Sequence, residues 1–444
     1  MKTIVQVLAN WVFLFYALST SAPRLFAQGG LPLWTNRFES GDSARSIAVD
    51  GSGNVFVTGF ASDGGPISQG ATIAYSNEGV PLWTNYFPRP SQFDVGSAVD
   101  KSGNVFVTGS GGTFKYSNTG MPLWTNGGST GLIALDSAGN VFVSFYFDTY
   151  AYSHSGVPLW TYSYIGPGGS DAASTIAVDG AGNVILTGSA TVKYSNSGVP
   201  LWTNRSAAGA AMAVDSIGNV VVTGFESTTK YSSEGLPLWT NRYNGAVPSA
   251  IALDSRNNVF VTAAYSGSFV TIAYSNSGSL LWTRRYKEPG SDHGEPSAIV
   301  LDSAGNVFVT GYSFYLDNTA EYATVAYSNS GVPSWTNRYN GSAYNQASAI
   351  AVDRIGNVFV TGKSGDVNGS NAGFVTIKYS SSVPPPRLDF KLLSGDLVLS
   401  WTNAGFNLQS APTITGPFTN LPSATSPYTN SLAIPQQFFR LIGN

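Results

Sequence analysis

A chain of 444 residues with 11% charged side chains, a net charge of −3 and no cysteine lacks the basic stripe that a nucleic-acid partner requires and the thiols of a disulfide framework. Its 50 glycines and 13% aromatic residues suit many short strands and tight turns and leave little for long helices. At this length roughly 75% of the unfolded surface is buried on folding, enough for a core without disulfides.

Residues 1–27 read as a leader for export. Lys2 supplies the positive start, residues 4–18 are apolar but too short and interrupted to span a bilayer, and Leu25-Phe26-Ala27 ends on a small residue after which cleavage is expected. A cut after Ala22 would leave Pro23 at the new N-terminus and ranks second. No later run is long enough for a membrane helix, so the mature chain is expected to be secreted or held at the cell-envelope surface.

From 31 to 380 one motif repeats. Its most regular copy, 297–339, holds four apolar runs: Ala298-Ile299-Val300-Leu301, Val307-Phe308-Val309-Thr310, Ala323-Thr324-Val325-Ala326-Tyr327 and Ser334-Trp335-Thr336-Asn337-Arg338-Tyr339. Each is bounded by Gly, Asn, Ser or Pro, the pattern of four antiparallel strands in a meander. In Asp302-Ser303-Ala304-Gly305-Asn306 the Asp opens a type I turn, its carboxylate accepting backbone N–H groups, and Gly305 takes the left-handed position of a bulged hairpin. Ser328-Asn329-Ser330-Gly331 repeats that logic between the third and fourth runs, and 312–321 is a variable segment.

The Asp motif recurs at Asp50, Asp100, Asp136, Asp179, Asp215, Asp254, Asp302 and Asp353, at intervals of 36 to 51 residues, the period of propeller blades. In one copy Asn257 replaces the turn Gly, and Asn is the next most tolerant residue in the left-handed region. The third-strand Tyr-Ser also occurs eight times, at Tyr75, Tyr116, Tyr152, Tyr194, Tyr231, Tyr274, Tyr327 and Tyr379. The fourth-strand Trp occurs at Trp34, Trp83, Trp124, Trp160, Trp202, Trp239, Trp282 and Trp335, but out of phase: Trp34 precedes every Asp motif, and no Trp strand follows Tyr379. A ring accommodates both facts if residues 31–38 pair beside 374–380.

Strand chemistry favours blades over a solenoid or sandwich. The second and third runs are apolar on both faces, as strands covered by neighbouring sheets must be. The fourth carries Trp with Arg and amides (Arg37, Arg242, Arg338), which suits a guarded outer edge. The first is built of small residues (Ala48, Ala177, Ala252, Ala351), which suits crowding near an axis.

In their order and spacing, Glu321-Tyr322-Ala323-Thr324-Val325-Ala326-Tyr327-Ser328 through Trp335 to Tyr339-Asn340-Gly341, then Ala349-Ile350-Ala351-Val352-Asp353 and Gly356-Asn357-Val358-Phe359-Val360-Thr361-Gly362, resemble the SBBP β-propeller repeat of secreted bacterial proteins. The likeness covers about 31–380. It implies a propeller and an exported, envelope-associated life, and brings no agreed activity with it. The family label suggests seven blades; the count here is eight. After a Pro-rich linker at 383–387, residues 388–444 read as a small β module with strands at 397–401, 405–410 and 437–441. It resembles a C-terminal module of secreted proteins from Verrucomicrobia-type bacteria, more plausibly used for interaction or surface retention than for catalysis.

Each repeat Asp stands alone, without the alternating carboxylates of a calcium loop, so turn capping outweighs metal binding. One Trp per blade at a fixed place fits blade-to-blade packing better than a sugar platform. His154 replaces the Asn of a Tyr-Ser-x-Ser-Gly turn and is expected to be an exposed turn residue. Asp292-His293-Gly294-Glu295 lies just before a first strand, in a loop that opens on the channel mouth of a propeller, and Asp42 and Asp171 occupy related loops. These five residues, Asp42, Asp171, Asp292, His293 and Glu295, are the candidate binding site. No Cys nucleophile, paired His, nucleophile elbow or phosphate loop is present in the sequence.

The sequence therefore predicts an all-β protein: a leader (1–27), an eight-bladed β-propeller closed by an N-terminal outer strand (28–382), a linker (383–387) and a C-terminal β module (388–444). Its expected role is that of an exported, non-catalytic, monomeric binding or scaffold protein, with a protein or polysaccharide ligand and no cofactor, metal or nucleic acid. The alternatives are a carbohydrate-binding lectin and a propeller-type glycosidase or lyase using scattered Asp and Glu.

Overall fold

The computed structural model describes residues 2–7, 15–18, 30–39, 41–62, 68–88, 95–109, 111–128, 131–165, 172–205, 209–225, 227–243, 245–367, 371–381, 388–393, 396–401, 406–413, 415–421, 424–431 and 437–443. Among these residues all regular structure is β. The chain divides into two compact units, Pro32–Tyr379, and Met1–Leu31 with Ser380–Asn444.

Within Pro32–Tyr379, four-stranded antiparallel sheets follow one another at 41–88, 97–126, 132–163, 173–204, 211–242 and 247–286, each a meander in sequence order. The strands His293–Leu301, Val307–Phe314, Ala320–Tyr327 and Pro333–Tyr339 repeat it. Tyr344–Val352, Val358–Gly365 and Gly373–Tyr379 form three strands of another meander, and the strand beside Gly373–Tyr379 is Pro32–Phe38, antiparallel, with Pro32 opposite Tyr379 and Phe38 opposite Phe374. A single parallel bridge, Ala320 to Tyr344, merges these last two sets into one sheet. First strands lie beside first strands in chain order, and Tyr344–Val352 lies beside Gly41–Val49.

The second and third strands are covered on both faces: Val105–Gly109, Val184–Gly188 and Gly373–Tyr379 are buried at every residue. Their interior polar groups pair across the strands, as buried hydroxyls must. Thr58 and Thr72, Thr310 and Thr324, and Thr361 and Thr376 each meet at 3.0 Å. In the 132–163 sheet Ser144 replaces the second-strand Thr and turns to the Tyr146 carbonyl, so Thr149 Oγ1 has no partner.

All eight Asp turns share one geometry. In the 302 turn Asp302 Oδ1 accepts the Ala304 and Asn306 backbone N–H groups, both at 2.9 Å, and Oδ2 accepts Asn306 Nδ2 at 2.7 Å. The left-handed position has φ of +80° at Gly305 and +62° at Asn257. With both carboxylate oxygens engaged by their own turn, these aspartates act as caps.

The Trp residues join consecutive sheets. Trp282, 8% exposed, lies between Phe260 of its own sheet and Tyr327 of the next, at 5.8 and 5.9 Å between ring centroids. Its Nε1 donates to the Asn329 carbonyl at 3.1 Å. Gly331, at φ +78°, sits so close that a Cβ there would lie 2.6 Å from the indole. Asn36, Asn85, Asn126 and Asn241, each two residues beyond its Trp, donate to the equivalent turn Gly of the next sheet at 2.7 to 2.8 Å. Trp282 is thus committed to packing between two sheets.

In the other unit, Asp389–Leu393, Asp396–Ser400 and Tyr428–Ser431 form one sheet, and Phe406–Ala411 lies between Thr419–Asn420 and Gln437–Gly443 in another. Leu388, Leu397, Leu399, Trp401, Leu408 and Phe439 make its core. The segment assigned to a leader contributes two strands, Lys2–Val7 and Phe15–Leu18, the first of which also pairs with Gln437–Gly443. Removing a leader would therefore leave that strand an unpaired edge. The linker at 383–387 lies outside the described residues.

Candidate functional site

The expected mouth is built by strands that start earlier than the sequence pattern suggests. His293 and Glu295 are not loop residues; they belong to His293–Leu301, because Val307–Phe314 runs on far enough to pair with them, His293 opposite Phe314 and Glu295 opposite Tyr312. Asp42 likewise lies within the strand Gly41–Val49. Its side chain, and the whole of Asp171, lie outside the described residues, so the structure brings together Asp292, His293 and Glu295 of the five candidates.

These three form a shared patch. His293 Nδ1 is 3.1 Å from Asp292 Oδ2 and its Nε2 is 3.9 Å from Glu295 Oε1, with the three side chains 41 to 56% exposed. The imidazole stacks on Phe314 at 4.8 Å between centroids. Tyr312 meets the edge of Phe314 at 5.3 Å and Tyr344 lies 5.6 Å from it. The Tyr312 hydroxyl donates to Glu295, and Gln346 Nε2 donates to the Tyr344 hydroxyl at 2.9 Å. Burial, then the bond to Glu295 and its charge, push the Tyr312 pKa well up, and burial followed by the Glu295 charge raises that of Tyr344. Both phenols therefore stay protonated at neutral pH, and Tyr312 holds Glu295 in place. Fixed carboxylates beside aromatic faces attract a cationic group through charge and through the ring quadrupole.

Nearby, a pair escaped the sequence reading. Glu288 is 4% exposed, receives Arg338 Nη1 at 2.6 Å and accepts from the Tyr286 hydroxyl. The Glu288 charge is the main cause of a raised Arg338 pKa. This is an anchor for the loop entering His293–Leu301, since Ser291 Oγ also donates to the Glu288 carbonyl at 2.8 Å. The Arg of the Trp-Thr-Asn-Arg-Tyr strand was visible in the sequence, but its partner lies 50 residues away.

His154, expected to be a simple turn residue, is half exposed yet holds its Nε2 2.8 Å from Lys115 Nζ and 3.4 Å from Asp100 Oδ2. Among the described residues no group of three or more His, Cys, Asp or Glu is arranged to hold a metal ion.

No family model and no curated protein sequence matches the chain. Among solved structures, the chain is similar to a protein of unknown function from Bacteroides caccae, at 14% identity over 55% of this chain and 93% of that one, with a TM-score of 0.35. It is also similar to U3-55K, at 12% identity over 62% of this chain and 90% of that one, with a TM-score of 0.46. Likenesses at this level bear on neither fold nor function, and the repeated small β-sheets rest on the strand pairing alone.

Proposed function

We propose that residues 32–379 form an eight-bladed, SBBP-type β-propeller in which Pro32–Phe38 serves as outer strand of the last blade, and that the chain is an exported, non-catalytic binding or scaffold protein at or beyond the cell surface. The side-by-side order of first strands, with Tyr344–Val352 next to Gly41–Val49, supports the ring. The register of Pro32–Phe38 on Gly373–Tyr379 supports its closure.

The ligand contact assigned to this protein is the patch of Asp292, His293 and Glu295 against Phe314, Tyr312 and Tyr344, and the ligand class is a cation on an organic frame, such as a lysine or arginine side chain. One observation carries it: two carboxylates stand more than half exposed beside aromatic rings, one of them fixed by a half-buried tyrosine. Titrating the parent with oligolysine and with oligoglutamate tests the reading. Oligolysine is expected to bind, salt to weaken it, and the Asp292→Asn, Glu295→Gln double variant to lose about tenfold or more in affinity. Equal affinity of parent and variant, or of the two peptides, overturns it.

A further inference from the structure

Four of the eight third strands carry a lysine just before their Tyr (Lys115, Lys193, Lys230, Lys378), where the other four carry alanine (Ala74, Ala151, Ala273, Ala326). Every one of these lysines is buried, at 5% exposure or less. Each reaches across to the turn between third and fourth strands of the next sheet. Three find a polar side chain there: Lys115 meets His154, Lys230 meets the Asn276 amide oxygen, and Lys378 meets the Asn77 amide oxygen.

Lys193 is the exception. The residue opposite is Ser233, whose hydroxyl turns away to Glu234. The ammonium has Asp179 Oδ2 at 2.9 Å and the Ser233 carbonyl at 3.2 Å, and its third acceptor, the Gly218 carbonyl, is at 3.5 Å. An ammonium has three donors, and here one of them has only a long bond. Where the longer side chain stands in the other three sheets, a cavity of about 650 Å³ opens, lined by Asp179, Lys193, Leu201, Trp202, Ile217 and Glu234 among others. Small-molecule sites commonly measure about 300 to 1,000 Å³. Part of the lining is apolar, with Leu201 50% and Ile217 71% exposed and Trp202 half-buried, and Ser216, Ser233 and Glu234 make it polar elsewhere.

We infer that this groove binds an acetamido sugar. The acetamido carbonyl accepts from Lys193 Nζ where the Asn276 and Asn77 amide oxygens accept from Lys230 and Lys378. The apolar face of the pyranose lies on Leu201 and the exposed part of Trp202, and its hydroxyls meet Glu234. The site is at the turn end of the sheets, away from Asp292 and Glu295, and does not depend on the cation-binding reading.

The test is calorimetric titration of the full-length parent with N,N′-diacetylchitobiose, with cellobiose as the matched disaccharide lacking acetamido groups and N-acetylglycinamide as the amide without a sugar. Diacetylchitobiose is expected to bind at one site with a dissociation constant of about 1 mM or tighter, and the two controls at least about tenfold more weakly. Two variants copy other sheets of the same chain. Ser233→Asn fills the groove as Asn276 does, and Lys193→Ala removes the ammonium as Ala273 does; both are expected to abolish binding. If Ser233→Asn does not fold, Lys193→Ala carries the test, and the Asp292→Asn, Glu295→Gln variant must keep sugar binding. No binding to the parent, equal binding of cellobiose, N-acetylglycinamide binding as tightly as the disaccharide, or unchanged affinity in Lys193→Ala overturns the assignment.

Discussion

At the end of each sheet where the first strand turns into the second and the third into the fourth, side chains do the same thing sheet after sheet: Asp caps its own turn, and in copy after copy a Trp nitrogen reaches the next sheet's carbonyl while a Gly makes room for its ring. At the opposite end, where the second strand meets the third and the chain passes to the next sheet, the segments differ in length and chemistry from copy to copy. Phe225 stands 80% exposed in one, Leu316 is 86% exposed in another, and the His293 patch occupies a third. The uniform end joins the sheets in the same way in copy after copy, whereas the variable end packs by different residues in different copies, Phe147 in one and Tyr243 with Ala246 in another. Lys193 and Ser233 teach the complementary point: a deviation inside the uniform end leaves a hole.

The largest test of this contrast is Trp282→Ala, which removes a buried indole packed between two sheets and should cost about 3 to 5 kcal/mol in denaturant unfolding. Trp239, only half buried, should cost less on the same change, and the reverse order would count against packing as the role of these rings. Next comes Asp302→Ala, which strips three bonds from one turn and leaves two backbone N–H groups without their acceptor. A loss of about 2 kcal/mol is expected, and a change below about 0.5 kcal/mol would show that the caps are dispensable.

Three of the lysine-bearing sheets hold a carboxyl that responds to acid. Burial alone would raise the carboxyls of Asp100, Asp179 and Asp215, but the bonds from Asn104, from Asn183 and Lys193, and from Lys230 and Asn219 outweigh it and hold all three below the usual aspartate value. A carboxyl with a depressed folded-state pKa gives stability that is complete above its unfolded value, about 3.9, and is lost as the pH falls through the folded one. Denaturation midpoints measured from neutral pH downward should therefore fall below about pH 4. Asp215→Asn should lower the midpoint at neutral pH and flatten the acid limb; an acid limb as steep as the parent's would remove Asp215 from this account. The smallest effect is reserved for the variable end, where Phe225→Ser should leave stability within about 0.5 kcal/mol.

What the sequence made legible follows from distance along the chain. An Asp turn is complete within five residues, so Asp302 to Asn306 announces its own geometry, and the Asn257 copy differs in the one way the backbone tolerates. Strand periodicity is equally local. The Lys193 groove was hidden because Ser233 is 40 residues away and has meaning only beside Asn276 and Asn77 in the same place on other sheets. The patch around His293 was half legible: its charges stood in the sequence, but Tyr312 and Phe314 lie in a variable segment with no repeat to compare, and Tyr344 belongs to the next set of strands. The strand at Lys2–Val7 was not anticipated either, since a positive start before an apolar run is also what a leader looks like.

The pairing of Pro32–Phe38 with Gly373–Tyr379 sets a timetable. Arg37 alone gathers Ser364 and the Asn371 carbonyl from more than 300 residues away. The equilibrium cost of bringing such distant segments together is modest, since loop-closure entropy rises only about 0.6 kcal/mol per doubling of length. The waiting time is another matter. At roughly 5 to 20 residues per second, about 20 to 70 s of synthesis separates the two strands. For that interval the first strand made has no mate, and the growing row of sheets has an open edge at each end. The period of greatest risk from self-association is thus fixed by the speed of synthesis, and a chain stalled before Tyr379 would never leave it.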